Sequence, residues 1–411
     1  MTEVVPINPP KPSNYFEGLD GIRGLGCFFV LLIHFRFTAA NLPFTLAYTC
    51  LHSFFIMSAY LITRNLLKER QRSESFSSFF KIFYIKRTAR IFPVYFLYIF
   101  IVIAIFFTTQ VLFHNSMGVV VEMKRYGWML FTFVYNLKMQ IAVNKGLDDY
   151  MSCFLFPHLW SVSLEEQFYF MVIFLLWICN VRMLKVISIL FIVIIPLVRI
   201  YGYYVIGEKT SDDFLRTLTL IHSPYYQFDA FFYGIAMAVF DIRRSKAVIY
   251  VFYISLAMIL GHALVNSILC ASEHQVTILT ALRDDRYFYS HYGIYFLDIA
   301  LNIFSCAWIY CVLYYPEKFS IFSNRLLVKF GELSYGLYIF QFLVLGVGVA
   351  LTAILMRFLH FPAILAELAG FSCYLILNYY LAIWINKKVE RPVAAYKDTL
   401  LKRAKAKQAN K

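Results

Sequence analysis

The sequence predicts an all-α polytopic membrane protein, a bundle of about ten transmembrane helices with both termini in the cytoplasm. Of the 411 residues, 61% are hydrophobic and 15% are charged, whereas soluble domains average about 45–50% and about 25%. The long apolar segments lack the period-2 alternation of barrel strands, which leaves helices to satisfy the backbone in lipid. This composition excludes an ordinary soluble enzyme and a disordered chain. Because 43 Phe and 31 Tyr accompany the net charge of +14, nucleic-acid binding is not expected either.

Ten apolar segments have the length that a membrane crossing requires. They cover residues 22–41, 44–65, 91–112, 164–180, 184–201, 226–241, 247–269, 292–315, 334–357 and 363–386. A shorter apolar stretch near 127–137 is either re-entrant or packed on the bundle. We therefore expect three regions: a cytoplasmic N-terminal segment 1–21, a transmembrane domain 22–386 and a basic cytoplasmic tail 387–411.

The distribution of Lys and Arg predicts the orientation of these spans. Basic residues concentrate in the loops 64–90, 242–246 and 316–330 and in the tail. With ten spans, all of these segments fall on the side of the N-terminus, as the positive-inside rule requires of cytoplasmic loops. The tail would then lie near anionic lipid and anchor this topology.

Two ionisable residues of the first span are candidates for function, because such residues are costly in a membrane. Arg23 lies at its cytoplasmic mouth and His34 lies deep inside it, eleven residues further on. Eleven residues return to nearly the same helix face and separate the two by about 16 Å along the axis. A long ligand with phosphates at one end and a reactive group at the other, such as coenzyme A, fits this spacing. The alternative is a snorkelling arginine and a hydrogen-bonded core histidine.

Two further segments carry charge at the ends of spans. Arg87 and Arg90 are three residues apart and share a helix face; their planar forks suit phosphate oxygens, although both also fit the positive-inside pattern. Glu166, beside Glu165, is expected in the first turn of the span beginning at 164, on the outer side. There it either complements the helix dipole or orients His34, which lies at a similar depth.

Other polar positions give weaker signals. Asp229 at the start of the sixth span is a candidate for catalysis, for substrate binding or for the outer interface, and His52 is a second candidate histidine. The remaining histidines show no metal-ligand spacing, so no metal site is predicted. There is no Walker motif, no GxSxG and no GxGxxG fingerprint.

Taken in chain order, seven motifs resemble the membrane acyltransferase-3 family of integral membrane O-acyltransferases. They are LDGIRGLGCFFVLLIHF (19–35), FFIMSAYLIT (54–63), RTAR (87–90), LWSVSLEEQFY (159–169), FDAFFYG (228–234), ELSYGLYIF (332–340) and VERP (389–392). Four positions depart from the family pattern: His52 replaces a frequent Asp, Ala59 a Gly, Gln227 an Arg and Gln341 a frequent His. The chain resembles the stand-alone form of the family, without an added hydrolase domain.

The resemblance implies an enzyme of a bacterial cytoplasmic (inner) membrane that transfers an acyl group from acyl-CoA to a hydroxyl. The acyl group is expected to be acetyl. The acceptor would be an envelope carbohydrate such as lipopolysaccharide O-antigen or exopolysaccharide. Acetyl-CoA would be a donor substrate, with no bound cofactor. Arg23, Arg87 and Arg90 would hold its phosphates, and His34 would act as general base with Glu166 orienting it. A further set would line the acceptor side: Trp160, Ser161, Asp229 and Tyr338.

Two other functions remain alternatives at this point: a transporter of a polysaccharide intermediate, and a non-catalytic member of the family. The absence of an internal repeat disfavours the inverted-repeat transporter folds. The departures at His52, Gln227 and Gln341 leave room for a non-catalytic role. The motifs do not specify the acceptor, the acyl length, the oligomeric state or whether transfer is direct or passes through an acyl-enzyme.

Overall fold

The described structure is entirely helical in its regular elements. A computed structural model describes residues 16–35, 44–113, 117–147, 153–240, 244–283, 288–289 and 292–409. No strand occurs within these ranges, so the predicted all-α class is confirmed. Most of the expected N-terminal segment 1–21, namely residues 1–15, lies outside the described residues.

Fifteen α-helices follow one another within the described ranges. They are α1 (Glu17–Phe35), α2 (Phe44–Arg70), α3 (Phe76–Phe113), α4 (Met117–Phe131), α5 (Lys138–Lys145), α6 (Leu159–Ile178), α7 (Val181–Gly207), α8 (Asp213–His222), α9 (Pro224–Val239), α10 (Ala247–Glu273), α11 (Ile278–Arg283), α12 (Gly293–Tyr314), α13 (Arg325–Arg357), α14 (Ala363–Ile385) and α15 (Arg391–Ala409). Short 3₁₀ turns cover Tyr135–Leu137 and Ser320–Ser323, and a π-helical turn covers Asn386–Glu390.

Eight helices in the described ranges are long and apolar enough to cross a membrane, fewer than the ten predicted from sequence. Each of the ten predicted spans does coincide with a helix, but α2 and α9 do not meet the criterion. α9 has only 16 residues. α2 carries buried polar side chains, among them Thr49, His52 and Thr63. A helix that faces other helices rather than lipid can carry such groups, because its partners satisfy them.

The helices pack in two groups that contact each other. In the first group α1 packs against α13, and α13 packs against α14; in the second, α2 packs against α9, α9 against α7, and α10 against α12. α1 packs directly against α2, α3 contacts both α13 and α2, and α6 contacts α2. The Tyr335 hydroxyl on α13 donates to the carbonyl oxygen of Ile91 on α3 at 2.8 Å, and this hydrogen bond joins α3 to the first group.

The second group is also fastened to α6 through a cap. The Arg70 guanidinium at the end of α2 donates to the carbonyl oxygens of Leu176 and Cys179, at 2.8 and 2.6 Å. These carbonyls belong to the C-terminal end of α6, where helices leave acceptors unsatisfied and favour positive charge. The cap fixes α6 relative to α2.

Small residues allow α1 and α13 to approach closely. A Cβ atom added to Gly331 on α13 would overlap the carbonyl oxygen of Asp20 on α1, and one added to Gly24 would overlap that of Leu327. Membrane helices pack most closely where glycine lets the backbones meet. This contact holds Arg23, which lies between Asp20 and Gly24, in a fixed place beside α13.

Replacing Gly331 with alanine is therefore expected to lower the stability of the bundle by about 1–3 kcal/mol, the usual cost of overpacking. Gly346→Ala is the matched control, because its added Cβ meets nothing within 4 Å on the same helix. The thermal unfolding midpoint in detergent measures both variants. Equal midpoints for the two variants would contradict the close contact of α1 with α13.

Candidate functional site

Three arginines predicted from the sequence lie together where α1, α3 and α6 meet. Arg23 on α1 interacts electrostatically with Arg90 on α3, and Arg90 with Arg87. Arg23 also donates to Asp20 Oδ1 at 2.7 Å, an ion pair within its own helix. Because Arg87 and Arg90 share one face of α3, the tertiary fold presents three guanidinium groups to one region.

The two adjacent glutamates of α6 join this arginine group. Glu165 interacts with Arg23, Arg87 and Arg90, and its Oε2 accepts a hydrogen bond from the Tyr169 hydroxyl at 2.8 Å. The Arg87 guanidinium lies over the Tyr169 ring, 5.1 Å from its centroid. Glu166 interacts with Arg87, and its buried Oε1 has no hydrogen-bond partner among the described residues. The glutamates thus face the arginines.

His34 lies in the last turn of α1 and pairs with α13. Its Nδ1 is 2.8 Å from Gln341 Oε1, and Gln341 Nε2 donates to the Tyr338 carbonyl oxygen at 2.9 Å. The His34 ring packs against Phe342, with centroids 4.9 Å apart. Gln341, a position where the sequence departs from the family pattern, is therefore a hydrogen-bond partner of the histidine.

The structure does not bring Glu166 and His34 together by a hydrogen bond within the described residues. α6 begins at Leu159 and not at 164, so Glu166 is not in the first turn. At 1.5 Å per residue, that shift places Glu166 about 7.5 Å further from the start of α6 than the sequence predicted. The expected depth match with His34 was counted from the later helix start.

Two of the expected acceptor-side residues contact each other close to His34. Ser161 Oγ lies 2.8 Å from the Tyr338 hydroxyl, which donates to the His158 carbonyl oxygen at 2.7 Å. Tyr338 also supplies the carbonyl that Gln341 binds. Trp160, by contrast, stacks on His222, with ring centroids 4.3 Å apart. Ser161 and Tyr338 thus belong to the surroundings of His34, and Trp160 faces another part of the bundle.

His158, which the sequence did not single out, lies next to this group. Its Nε2 is 3.0 Å from the Ile339 carbonyl oxygen, and its ring stacks on Phe342, with centroids 4.9 Å apart. Because a carbonyl only accepts, Nε2 carries the hydrogen. Burial, with a smaller contribution from His34, lowers the pKa of His158 to about 3. This histidine is accordingly neutral at physiological pH.

Comparison with known proteins identifies the family of the chain. The profile of a protein family described as an acyltransferase domain matches residues 16–387. The chain belongs to this acyltransferase family. The motif resemblance is thereby confirmed, and with eight apolar helices the chain is an integral membrane protein. No solved structure matches this acyltransferase.

Three curated relatives are similar to parts of the acyltransferase chain. Peptidoglycan O-acetyltransferase OatA of Listeria monocytogenes is 29% identical over 175 residues, 41% of this chain and 26% of the relative. A Staphylococcus aureus protein provisionally named as an O-acetyltransferase is 25% identical over 354 residues, 82% of this chain and 52% of the relative. YrhL of Bacillus subtilis, provisionally named as a peptidoglycan O-acetyltransferase, is 30% identical over 160 residues, 38% and 23% of the two chains. The chain spans about half the length of these relatives, or less.

Asp229 lies in a second polar group of the acyltransferase domain, not beside His34. The Arg199 guanidinium on α7 pairs with Asp229 Oδ1 at 2.7 Å and with Asp298 Oδ2 on α12 at 3.0 Å. Asn302 Nδ2 donates to Asp229 Oδ2 at 3.1 Å. All four side chains are buried. Asp229 is thus engaged in an ionic network that joins α7, α9 and α12.

His52, the second candidate histidine, belongs to the same network. Its Nδ1 is 2.7 Å from Asn302 Oδ1 and its Nε2 is 3.3 Å from Asp298 Oδ1. The side chain is completely buried. Both ring nitrogens therefore face protein groups, which makes His52 a poor candidate for a base that meets a substrate.

Sequence reasoning missed three residues that organise these two groups: Arg199, Asp298 and Gln341. A usable signal existed for the first two, since each is a charged residue inside a predicted apolar span and such residues are costly in lipid. Gln341 gave only the signal of a family departure, and a single polar amide in a long apolar helix does not reveal its partner.

Proposed function

We propose that this chain is a membrane O-acyltransferase that transfers an acyl group from cytoplasmic acyl-CoA to a hydroxyl of an envelope carbohydrate. We expect the acyl group to be acetyl. The observation that carries the proposal is that Arg87 and Arg90 of α3 meet Arg23 of α1, the helix that also holds His34. Arg23 and His34 are eleven residues apart on α1, about 16 Å along its axis. The pantetheine arm of coenzyme A matches such a separation between phosphates and thioester.

Two members of the arginine group, Arg87 and Arg90, support phosphate binding. Within the described residues, Arg87 and Arg90 form no ion pair, although Glu165 and Glu166 lie near enough to interact. Asp20 pairs with Arg23, so Arg87 and Arg90 are the two guanidinium groups that can bind phosphate without breaking an ion pair. Arginine binds phosphate oxygens through two parallel hydrogen bonds, and such charge-assisted bonds are the strong ones.

The proposed chemistry uses His34 as general base. His34 removes the proton of the acceptor hydroxyl as its oxygen attacks the thioester carbonyl carbon. The carbon–oxygen bond forms, the carbon–sulfur bond breaks, and coenzyme A leaves with the electron pair and takes up the proton. Ser161 and Tyr338, which contact each other beside this group, are proposed to bind the acceptor. In a dry site, positioned groups of this kind stabilise developing charge more strongly than in water.

The orientation that follows places the arginine group toward the cytoplasm. We propose that α2 and α9 also cross the membrane, giving ten crossings with both termini cytoplasmic in a bacterial cytoplasmic membrane. The basic loops support this orientation by the positive-inside rule. The acceptor is proposed to be an envelope glycan; the names of two relatives add peptidoglycan to O-antigen and exopolysaccharide as candidates.

Binding of acyl-CoA to the purified protein tests the donor site. Arg87→Gln and Arg90→Gln are each expected to raise the Kd by about 10- to 100-fold, because a hydrogen bond to a charged group contributes about 1.5–3 kcal/mol. Arg64→Gln is the matched control, since Arg64 on α2 bonds only to Tyr60 and lies over Phe16 in the described structure. An unchanged Kd in both α3 variants, or an equal loss in Arg64→Gln, would contradict the donor site.

A further inference from the structure

We propose that Gln341 is a positioning residue that fixes the tautomer of His34, and thereby assigns the basic nitrogen of the site to Nε2. This inference rests on the proposed function, because it states how the base is prepared. It is carried by two hydrogen bonds of one fully buried side chain.

The orientation of the Gln341 amide follows from its partners. One end lies 2.9 Å from the Tyr338 carbonyl oxygen, which can only accept, so that end is the NH₂ group. The other end, Oε1, is left to face His34 Nδ1 at 2.8 Å. An amide oxygen also only accepts, so the hydrogen of this second bond belongs to His34 Nδ1.

The tautomer of His34 is then determined. A neutral imidazole carries one N–H, and its other nitrogen holds the lone pair. With the hydrogen on Nδ1, the lone pair of His34 is on Nε2. A general base must present its lone pair to the proton that it removes, so the wrong tautomer would be inactive however well the ring were placed. Gln341 selects the active tautomer without itself carrying a charge.

Neighbouring groups hold His34 and Gln341 in contact. Gln341 is held by a bond to Tyr338 one turn earlier on its own helix, and the His34 ring rests on the neighbouring Phe342. His158, just before α6, interacts electrostatically with His34, and its pKa near 3 keeps His158 neutral. On α1, Arg23 lies eleven residues away. Gln341 is therefore a polar contact that treats the two nitrogens of His34 differently.

Three variants separate positioning from packing. Gln341→Met keeps the shape and removes the acceptor, and it is expected to lower kcat by about 100-fold, the lower end of the contribution of a positioned base, with the KM for acetyl-CoA unchanged. Gln341→Glu restores an acceptor and is expected to recover most of kcat. The acidic limb of the pH–rate profile of Gln341→Glu should move to higher pH, because a carboxylate stabilises the protonated imidazole of His34. Gln227→Met, which alters another fully buried amide, serves as the control.

A second measurement reads the tautomer without activity. Solid-state ¹⁵N spectra of histidine-labelled protein, with His34→Gln for assignment, are expected to show hydrogen on Nδ1 of His34 in the unaltered protein and its loss in Gln341→Met. Hydrogen on Nε2 in the unaltered protein, an unchanged kcat in Gln341→Met, or an equal fall in the Glu and Met variants would overturn the inference. A protein with the expected spectrum but no acyl transfer would instead refute the proposed function.

Discussion

Replacing His34 with alanine is expected to lower the rate of acyl transfer by about 10²–10⁴-fold, the contribution of a positioned general base. Acyl-CoA binding should be unchanged, because the proposed phosphate site consists of Arg23, about 16 Å away along α1, and of Arg87 and Arg90 on another helix. Transfer of labelled acetyl from acetyl-CoA to glycan, measured beside the Kd for acetyl-CoA, separates the two effects.

His274→Ala is the matched control for this variant, because His274 is exposed at the end of α10. It is expected to transfer acetyl at the rate of the unaltered protein. If His34→Ala transferred label as fast as the control, His34 would have no role in catalysis. A loss of acetyl-CoA binding in His34→Ala would indicate instead that the substitution disturbs the bundle.

Replacing Arg199 with methionine is expected to destabilise the protein by about 3–5 kcal/mol, the cost of breaking a buried ion pair from one side. The substitution leaves the carboxylates of Asp229 and Asp298 buried without their shared guanidinium partner. The midpoint of thermal unfolding in detergent measures the loss. Arg182→Met, an exposed arginine on the same helix, is expected to leave the midpoint unchanged.

The same experiment distinguishes a structural role of Asp229 from the substrate-binding role predicted from sequence. If the network is structural, the triple variant Arg199→Met, Asp229→Asn, Asp298→Asn recovers stability, because it removes the buried charges together. Its KM for the acceptor should remain that of the unaltered protein. A raised acceptor KM in Asp229→Asn, at an unchanged unfolding midpoint, would return Asp229 to the substrate site.

Much of the fold could be predicted because lipid imposes a simple rule on the chain. Each predicted span coincides with a helix, since an apolar segment of about 20 residues has few other stable structures in a membrane. The differences from the prediction concern segments that lipid does not control. α2 and α9 face other helices, and α3 and α13 continue past the apolar segment, starting at Phe76 and Arg325 where the sequence predicted 91 and 334.

The site could be predicted in part for a similar reason. Charged residues in apolar spans stand out, so Arg23, Arg87 and Arg90 were found and the fold brings them together. The partner of His34 could not be found, because it depends on the register between α1 and α13, helices separated by 307 residues at the His34–Gln341 contact. Spacing within one helix carries no information about that register.

Acetyl transfer in inside-out membrane vesicles tests the central claim most directly. Acetyl-labelled acetyl-CoA, which does not cross the membrane, would be supplied to the exposed cytoplasmic face, and the glycan fraction would be assayed for label released by mild alkali, as expected of an ester. We expect ester-linked label in the glycan. This label should require the protein and should be lost in Arg87→Gln at low acetyl-CoA concentration. Protein-dependent movement of glycan across the membrane without ester label would contradict it and identify a transporter.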